Sequence, residues 1–187
     1  VEPPALPYPD YFANLIVSER ALTKGLLPFD AKDAFRCLKP VGGKLVLGQP
    51  AAAQGKVAPL AAETLRPWLA AGGMPEAVVA QDDGLWATVT RGPLPGAGSW
   101  THEYAEPGNT TCGDDQLVKC PLGVLWFGEP GPGKMVERHP RVAAPLAING
   151  RFFVQGVDVV MAYDSYNGLK LWERAIPHGA PRQPDLD

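Results

Sequence analysis

The sequence predicts two regions of different fold class, a mixed α/β half-domain over residues 1–92 and an all-β segment over residues 99–187. In the first region, apolar runs alternate with segments of helical period, a pattern typical of α/β structure. In the second region, short bursts of β-branched and aromatic residues are separated by Asn-Gly pairs, which are a strong hairpin signal. Between the two lies RGPLPGAGSW, which starts at Arg91 and has the composition of a linker, placed here at residues 93–98.

The α/β region is predicted to open with two strands connected by helices. The apolar run 13–18 predicts a buried strand of a parallel sheet. Helices are expected at 19–26 and at 30–38, where the apolar spacing is helical and Asp30 is the expected N-cap. Because a second buried strand is expected at 44–48, the pattern predicts a βαβ unit with a right-handed crossover.

A helix and a hairpin are predicted to complete this region. A flexible stretch rich in Ala, Gly and Pro at 50–59 leads to a helix at 61–71, in which Pro67 either kinks the helix or starts its second half. Strands at 77–80 and 85–90 are joined by an Asp-Asp-Gly turn. This spacing predicts an antiparallel hairpin at the far edge of the sheet.

The all-β region is predicted to form a four-stranded meander. The strands are expected at 143–148, 151–155, 158–163 and 169–173. Asn149-Gly150 and Asn167-Gly168 punctuate this meander, and both residues of such a pair accept the positive φ of a tight type I′ turn. Asp158 and Asp164 stand at turn positions, where an Asp side chain commonly bonds to turn backbone, so neither is assigned a catalytic role. A meander of this kind is one blade of a β-propeller or a piece of another all-β sheet.

Charge and hydropathy limit the classes of partner. The net charge of −3 and the isoelectric point near 5.6 give no broad basic field, so nucleic acid is not an expected partner. No apolar run is long enough for a transmembrane helix, so no membrane span is expected. The first ten residues, VEPPALPYPD, lack the features of a signal peptide, which is uninformative if the chain was cut from a longer polypeptide.

The cysteines and histidines do not predict a metal centre. The three cysteines form no CxxC or CxxCH motif, and the three histidines show no ligand spacing, so no metal ligand is assigned. Cys112 and Cys120 flank a polar loop and form either a local disulfide in an oxidising compartment or two separate thiols. No GxSxG motif and no phosphate-loop spacing is present, and no catalytic residue is assigned.

Two stretches of the first region resemble the second half of a class I S-adenosylmethionine-dependent methyltransferase. They read LPYPDYFANLIVS and FRCLKPVGGKLVLG. In the family, a segment of the type LPFxDxxFDLVxS carries the fourth strand, and RxLKPGGxLxL closes the next helix and opens the fifth strand. Val41 departs from this pattern, because it stands where the family usually has a glycine. The resemblance covers residues 5–92 and implies that the last hairpin corresponds to the family's sixth and seventh strands.

The same resemblance implies that a cofactor site would be incomplete. The Gly-rich loop after the family's first strand and the acidic residue after its second strand, which hold the cofactor, have no counterpart in this chain. Asn14 alone falls near a position that lines the cofactor in the family. The other interpretation of Asn14 is a polar residue that enters a strand and bonds to its own backbone.

The second region resembles the quinoprotein-type, or pyrroloquinoline-quinone-like, β-propeller over residues 98–177. The residues that match the repeat are Pro145, Gly150, Val154, Asp158, Ala162, Asp164, Gly168 and Trp172. The upstream run from Trp100 to Trp126 is similar to the start of such a propeller. The tryptophans either stack on a flat quinone or, as is more common, pack between neighbouring blades.

Together the two halves resemble fusion proteins of planctomycete-type bacteria, in which the propeller continues for many blades. A closed propeller takes about four to eight blades, so this chain cannot close one alone. We therefore expect a non-catalytic scaffold or interaction fragment whose partners are the remainder of the propeller or other protein chains. The alternative is a methyltransferase or quinone-dependent dehydrogenase whose site is completed by other chain.

No cofactor is expected to bind to this chain alone, and S-adenosylmethionine or pyrroloquinoline quinone enters only in a complete protein. The two resemblances imply opposite compartments. Propellers of this type are usually extracytoplasmic, whereas a methyltransferase uses a cytosolic cofactor. The compartment stays open, with the periplasm slightly favoured.

Overall fold

The protein is described by a computed structural model, which covers residues 5–54, 57–131, 134–136 and 143–177. The chain divides into two compact units, Val1–Gly92 and Pro93–Asp187, and the described residues of each form one four-stranded sheet. The fold is therefore mixed α/β with two sheets. Among the described residues the sheets form no closed barrel or propeller, and no helix is long and apolar enough to cross a membrane.

The sheet of the N-terminal unit is mixed and has the order β1-β2-β4-β3. Its strands are β1 (Leu15–Val17), β2 (Lys44–Pro50), β3 (Val78–Gln81) and β4 (Gly84–Thr90). β1 and β2 are parallel, with Ile16 opposite Leu45, and the other pairs are antiparallel. The predicted hairpin at the far edge is confirmed, because β3 pairs only with β4 among the described strands.

In the described residues of this unit four helices accompany the sheet, and local capping chemistry sets the ends of the first two. They are α1 (Glu19–Lys24), α2 (Ala31–Cys37), α3 (Ala51–Gln54) and α4 (Ala62–Ala71). The Asp30 carboxylate accepts hydrogen bonds from two amides of the first turn of α2, as predicted. Gly25 ends α1 in the left-handed region, at φ 63°. Pro67 lies inside the continuous helix α4.

The core of the N-terminal unit lies between β2, β4 and the helices. β2 alternates buried and less buried residues, and Leu45 and Leu47 are fully buried. Leu65 of α4 and Leu38, directly after α2, are fully buried against them. Burial of each leucine contributes about 2 kcal/mol relative to an exposed side chain.

Two predictions for this unit are wrong. The run 13–18 forms a strand only at β1, and Leu15 and Val17 are each 57% exposed instead of buried. The physical reason is that Leu15 and Val17 lie on the same sheet face as Lys44 and Val46 of β2, and the described residues leave that face largely uncovered. The stretch 50–59 is also more regular than expected, because Pro50 ends β2 and α3 follows directly.

The C-terminal unit contains the predicted antiparallel meander. Its strands are β5 (Leu146–Ile148), β6 (Arg151–Gly156), β7 (Val159–Asp164) and β8 (Lys170–Ala175), paired in chain order. Val154, Met161 and Tyr163 form its buried cluster. Trp100 extends the sheet beyond β5 through two backbone hydrogen bonds with Ala147, of 2.7 and 2.8 Å.

The two Asn-Gly turns of this unit differ. Asn149 and Gly150 have φ values of 50° and 69° and connect Ile148 directly to Arg151, as expected for a type I′ turn. The prediction of a type I′ turn is wrong at Asn167-Gly168, because the connection from Tyr163 to Lys170 is longer than two residues. There, buried Asp164 organises a wider turn by accepting a hydrogen bond of 2.9 Å from the Tyr166 amide. This contact confirms that the Asp164 side chain bonds to turn backbone.

A polar loop fastens the beginning of the C-terminal unit. The Asp115 carboxylate accepts from the Gly98 amide at 2.8 Å, and the Asp114 carboxylate accepts from the Ser99 amide at 2.9 Å. The Gln116 amide donates to the Gly96 carbonyl at 2.8 Å. Residues 96–99 are therefore held by the loop that follows Cys112.

Candidate interaction surfaces

β1 exposes apolar side chains, and its outer edge has no strand partner in the described residues. Leu15 and Val17 are two positions apart, so they lie on one face of the strand. Edge strands of stable proteins usually carry charges, prolines or bulges that prevent pairing with other chains. The three residues of β1 are uncharged and apolar. At three residues, β1 is a short edge strand, and shortness is the protection of this kind that it has.

The segment that precedes β1 is fixed by one arginine of α2. Arg36 donates to the carbonyls of Tyr8 at 2.7 Å and Leu6 at 3.0 Å and pairs with Asp10 and Asp33. The amide of Leu6 donates to the Asp33 carboxylate, and this hydrogen bond, together with Arg36, lowers the pKa of Asp33. The segment is thus an ordered part of the unit surface.

Asn14 lies at the amino end of β1 and is exposed. Its carbonyl accepts from the Lys44 amide at 2.9 Å, which joins it to the start of β2. Open α/β sheets bind ligands at the carboxyl ends of their strands. At that end, Ser18 caps α1 and buried Gln49 accepts from the Leu60 amide at 2.7 Å. The predicted cofactor contact of Asn14 stays a prediction.

Arg91 is a residue that the sequence did not single out for a contact. Its guanidinium lies 4.9 Å from the ring centre of Tyr11 and 4.3 Å from that of Phe35. It also donates to the carbonyls of Phe35 and Leu38, each at 2.5 Å. Arg91 therefore closes the C-terminal end of α2, where a cation is favoured.

The segment 121–127, which has no regular secondary structure, is the most exposed apolar stretch among the described residues of the C-terminal unit. Its sequence is PLGVLWF, and Leu122, Val124 and Phe127 are 71%, 84% and 98% exposed. No strand pairs with it among the residues described. Contiguous exposed apolar residues of this kind mark interaction sites in soluble proteins.

One tryptophan anchors this segment to the turn between β7 and β8. The Trp126 indole N–H donates to the Ser165 carbonyl at 2.9 Å. Its ring lies over Gly168, where an added Cβ would stand only 2.3 Å from a ring carbon. Gly168 also has a φ of 71°, so glycine is required for two independent reasons. The segment is therefore both exposed and fixed in place.

β8 is an edge strand that carries charges. Glu173 pairs with Lys134 at 2.8 Å and with Lys170 at 3.3 Å, and Lys170 lies 3.6 Å from Glu129. Trp172 is 44% exposed, and its ring centre lies 6.0 Å from that of Phe153. The charges discourage indiscriminate strand pairing at this edge, in contrast to β1.

The cysteines and metal-ligating side chains are dispersed. Cys112 and Cys120 are exposed, separate thiols, and Cys37 is buried. The two alternatives for this pair in an oxidising compartment, a local disulfide or two separate thiols, stay open. In residues 5–54, 57–131, 134–136 and 143–177, no group of three or more His, Cys, Asp or Glu side chains is placed to hold a metal ion. His139 and His178 lie outside the described residues, and the His102 ring forms a 2.8 Å hydrogen bond with the Thr101 hydroxyl.

A small cleft of about 280 Å³ lies on the C-terminal sheet. Its lining is mainly apolar and consists of His102, Glu103, Ala143, Ala144, Leu146, Phe153, Val154, Gln155 and Val160. The volume is just below the range of about 300–1,000 Å³ that is common for small-molecule sites.

No family model, curated protein or solved structure matches the chain.

Proposed function

We propose that this chain is a non-catalytic scaffold or interaction part of a larger protein, in which a methyltransferase-like half-domain precedes the first blade of a quinoprotein-like propeller. The observation that carries the proposal is the segment 121–127, which is apolar, exposed and anchored by Trp126. We expect the remainder of the propeller to be the occupant, because its apolar side chains would cover these exposed residues.

The anchoring of the segment favours binding over simple exposure. Trp126 holds the chain through its indole N–H and its ring, so much of the ordering entropy is lost before a partner arrives. Val124 and Phe127 on either side are then free to be covered. A preorganised apolar segment gains more from association than a disordered one, because less conformational freedom remains to be lost.

The propeller-like interpretation is supported by the meander and by the relation between two tryptophans. Gly123 to Trp126 and Gly168 to Trp172 are similar runs in which a glycine is followed within a few residues by tryptophan. The first tryptophan packs on the glycine of the second run. We infer that half-exposed Trp172 makes the equivalent contact with the next blade of the complete protein.

The methyltransferase-like interpretation is supported by the N-terminal sheet. A parallel pair is followed by a hairpin whose last strand, β4, runs antiparallel to β2, as the resemblance implies for the last strand of that family. The open edge of β1 is the place where the remaining strands of such a sheet would pair. S-adenosylmethionine would then be held by that other part of the polypeptide.

The test compares hydrogen exchange in this chain and in the intact gene product, whose extent mass spectrometry establishes. We expect the amides of segment 121–127 to exchange rapidly in the isolated 187-residue chain and slowly in the longer protein. Val124→Asp should abolish the protection, whereas Val78→Asp, at a valine of similar exposure in the other unit, should not. An intact product that ends at these same termini and leaves the segment unprotected would refute the proposal.

Two binding measurements separate the enzymatic alternatives. Calorimetric titration with S-adenosylmethionine should show no binding to this chain alone, because the cofactor loop has no counterpart in it. The absorbance spectrum of the purified chain should contain no quinone band. Binding in the titration would favour a methyltransferase, and a quinone band would favour a dehydrogenase.

A further inference from the structure

The two Asn-Gly pairs of the C-terminal unit have the same chemistry and different surroundings. Asn149 and Gly150 form the tight turn between β5 and β6, and Asn149 is exposed. Asn167 and Gly168 lie in the wider turn between β7 and β8. The pairs therefore allow a comparison in which the reacting dipeptide is constant and only the folded environment changes.

We propose that Asn149 is a site of spontaneous deamidation in the folded protein and that the fold protects Asn167. In this reaction the Gly150 nitrogen attacks the side-chain carbonyl carbon of Asn149, and the side-chain nitrogen leaves as ammonia. The resulting five-membered imide is opened by one water molecule at either carbonyl. The products are aspartate and isoaspartate, and no oxidant or other co-reactant is required.

The attacking amide is accessible at the first pair. Within the described residues, the Gly150 N–H donates no hydrogen bond, and the backbone bond at this residue is the one that its carbonyl accepts from the Ser165 amide, at 2.9 Å. Asn149 is exposed and lies in a two-residue turn. Neither reacting group has to leave a partner before attack, and asparagine is among the chemically labile residues of proteins.

Both reacting groups are occupied at the second pair. The Gly168 N–H donates to the Asp164 carbonyl at 3.0 Å. The Asn167 side-chain oxygen accepts from the Leu169 amide at 3.2 Å. Asp164 is itself buried at 3% exposure, so the acceptor of the Gly168 amide is held by the sheet. Attack at Asn167 requires that these hydrogen bonds open first.

Conversion at Asn149 has a structural consequence. Isoaspartate places an additional methylene group in the main chain of the turn, and a two-residue type I′ turn has no room for it in its register. The pairing of Ile148 with Arg151 should loosen, together with the hydrogen bond from Ser165 to Gly150. The modification therefore acts on the hairpin that begins the meander.

The experiment follows both sites by peptide mapping and mass spectrometry during incubation of the full chain in mildly alkaline buffer, with and without denaturing urea. In urea, the two pairs should react at similar rates. In the folded chain, Asn149 should react at least about tenfold faster than Asn167, because each hydrogen bond that must open first slows attack by roughly fivefold. Asn149→Gln, which lacks the reactive spacing, should remove the mass change at that peptide. Equal folded rates, faster conversion of Asn167, or no conversion of Asn149 would overturn the proposal.

Discussion

The contact between Trp126 and Gly168 predicts a specific energetic coupling. Gly168→Ala places a Cβ 2.3 Å from the Trp126 ring and also demands a left-handed backbone from alanine. The backbone term costs about 1 kcal/mol, and displacement of the ring costs about 1–3 kcal/mol more. In a Trp126→Ala background the ring is absent, so only the backbone term should remain.

Urea unfolding followed by far-ultraviolet circular dichroism measures the four corners of this cycle. We expect Gly168→Ala to lower the free energy of unfolding by about 2–4 kcal/mol in the natural chain and by about 1 kcal/mol beside Trp126→Ala. Gly131→Ala is the matched control, because Gly131 has a φ of 64° but no described atom within 4 Å of an added Cβ. An equal cost of Gly168→Ala in both backgrounds would refute the proposed docking of Trp126.

Three further predictions concern the fixed ends of the two units. Arg91→Lys should lower the free energy of unfolding of the N-terminal unit, measured by urea unfolding, by about 1–2 kcal/mol. Lysine keeps the charge but loses the planar guanidinium contacts with two rings and several carbonyls. An unchanged midpoint of the urea transition would contradict these contacts of Arg91. Backbone hydrogen bonds from Gly98, Val118 and Leu117 lower the pKa of Asp115 in the folded chain. The contribution of the Asp115 carboxylate to folding stability should therefore be complete above its unfolded-state pKa of 3.8 and be lost as the pH falls through its lower folded-state pKa. Protection of the Gly98 amide from hydrogen exchange, taken relative to its intrinsic exchange rate at each pH, should fall over that range, and Asp115→Asn should remove the change. Alkylation before and after reduction of protein purified under oxidising conditions decides between the two alternatives for Cys112 and Cys120, because a disulfide blocks both until reduction whereas separate exposed thiols react at once.

Local chemistry explains most of what the sequence predicts correctly. Asp30 caps α2 through bonds to amides two and three residues away, and Asn149-Gly150 closes its turn through its own backbone preferences. Neither result depends on distant parts of the chain. The same preferences are insufficient at Asn167-Gly168, where the buried carboxylate of Asp164 fixes a wider turn.

The surfaces depend on contacts that sequence periodicity does not encode. Arg91 contacts the carbonyls of α2 from the end of β4, and Trp126 meets Ser165 from a segment without regular structure. A sequence shows that an arginine or a tryptophan is present, but the partner is determined by the tertiary arrangement. A signal did exist for Trp126, because two similar runs each end in tryptophan after a glycine.

The incorrect prediction at β1 carries the most information about function. Leu15, Ile16 and Val17 have the composition of a strand that is covered on both faces, yet Leu15 and Val17 are more than half exposed. Composition reports the environment for which a segment is suited, whereas exposure reports the environment that the described residues supply. Their disagreement at β1, and again at segment 121–127, supports the proposal that further polypeptide covers both surfaces. A strand suited to burial at an open edge is therefore stronger support for an interaction role than exposure alone.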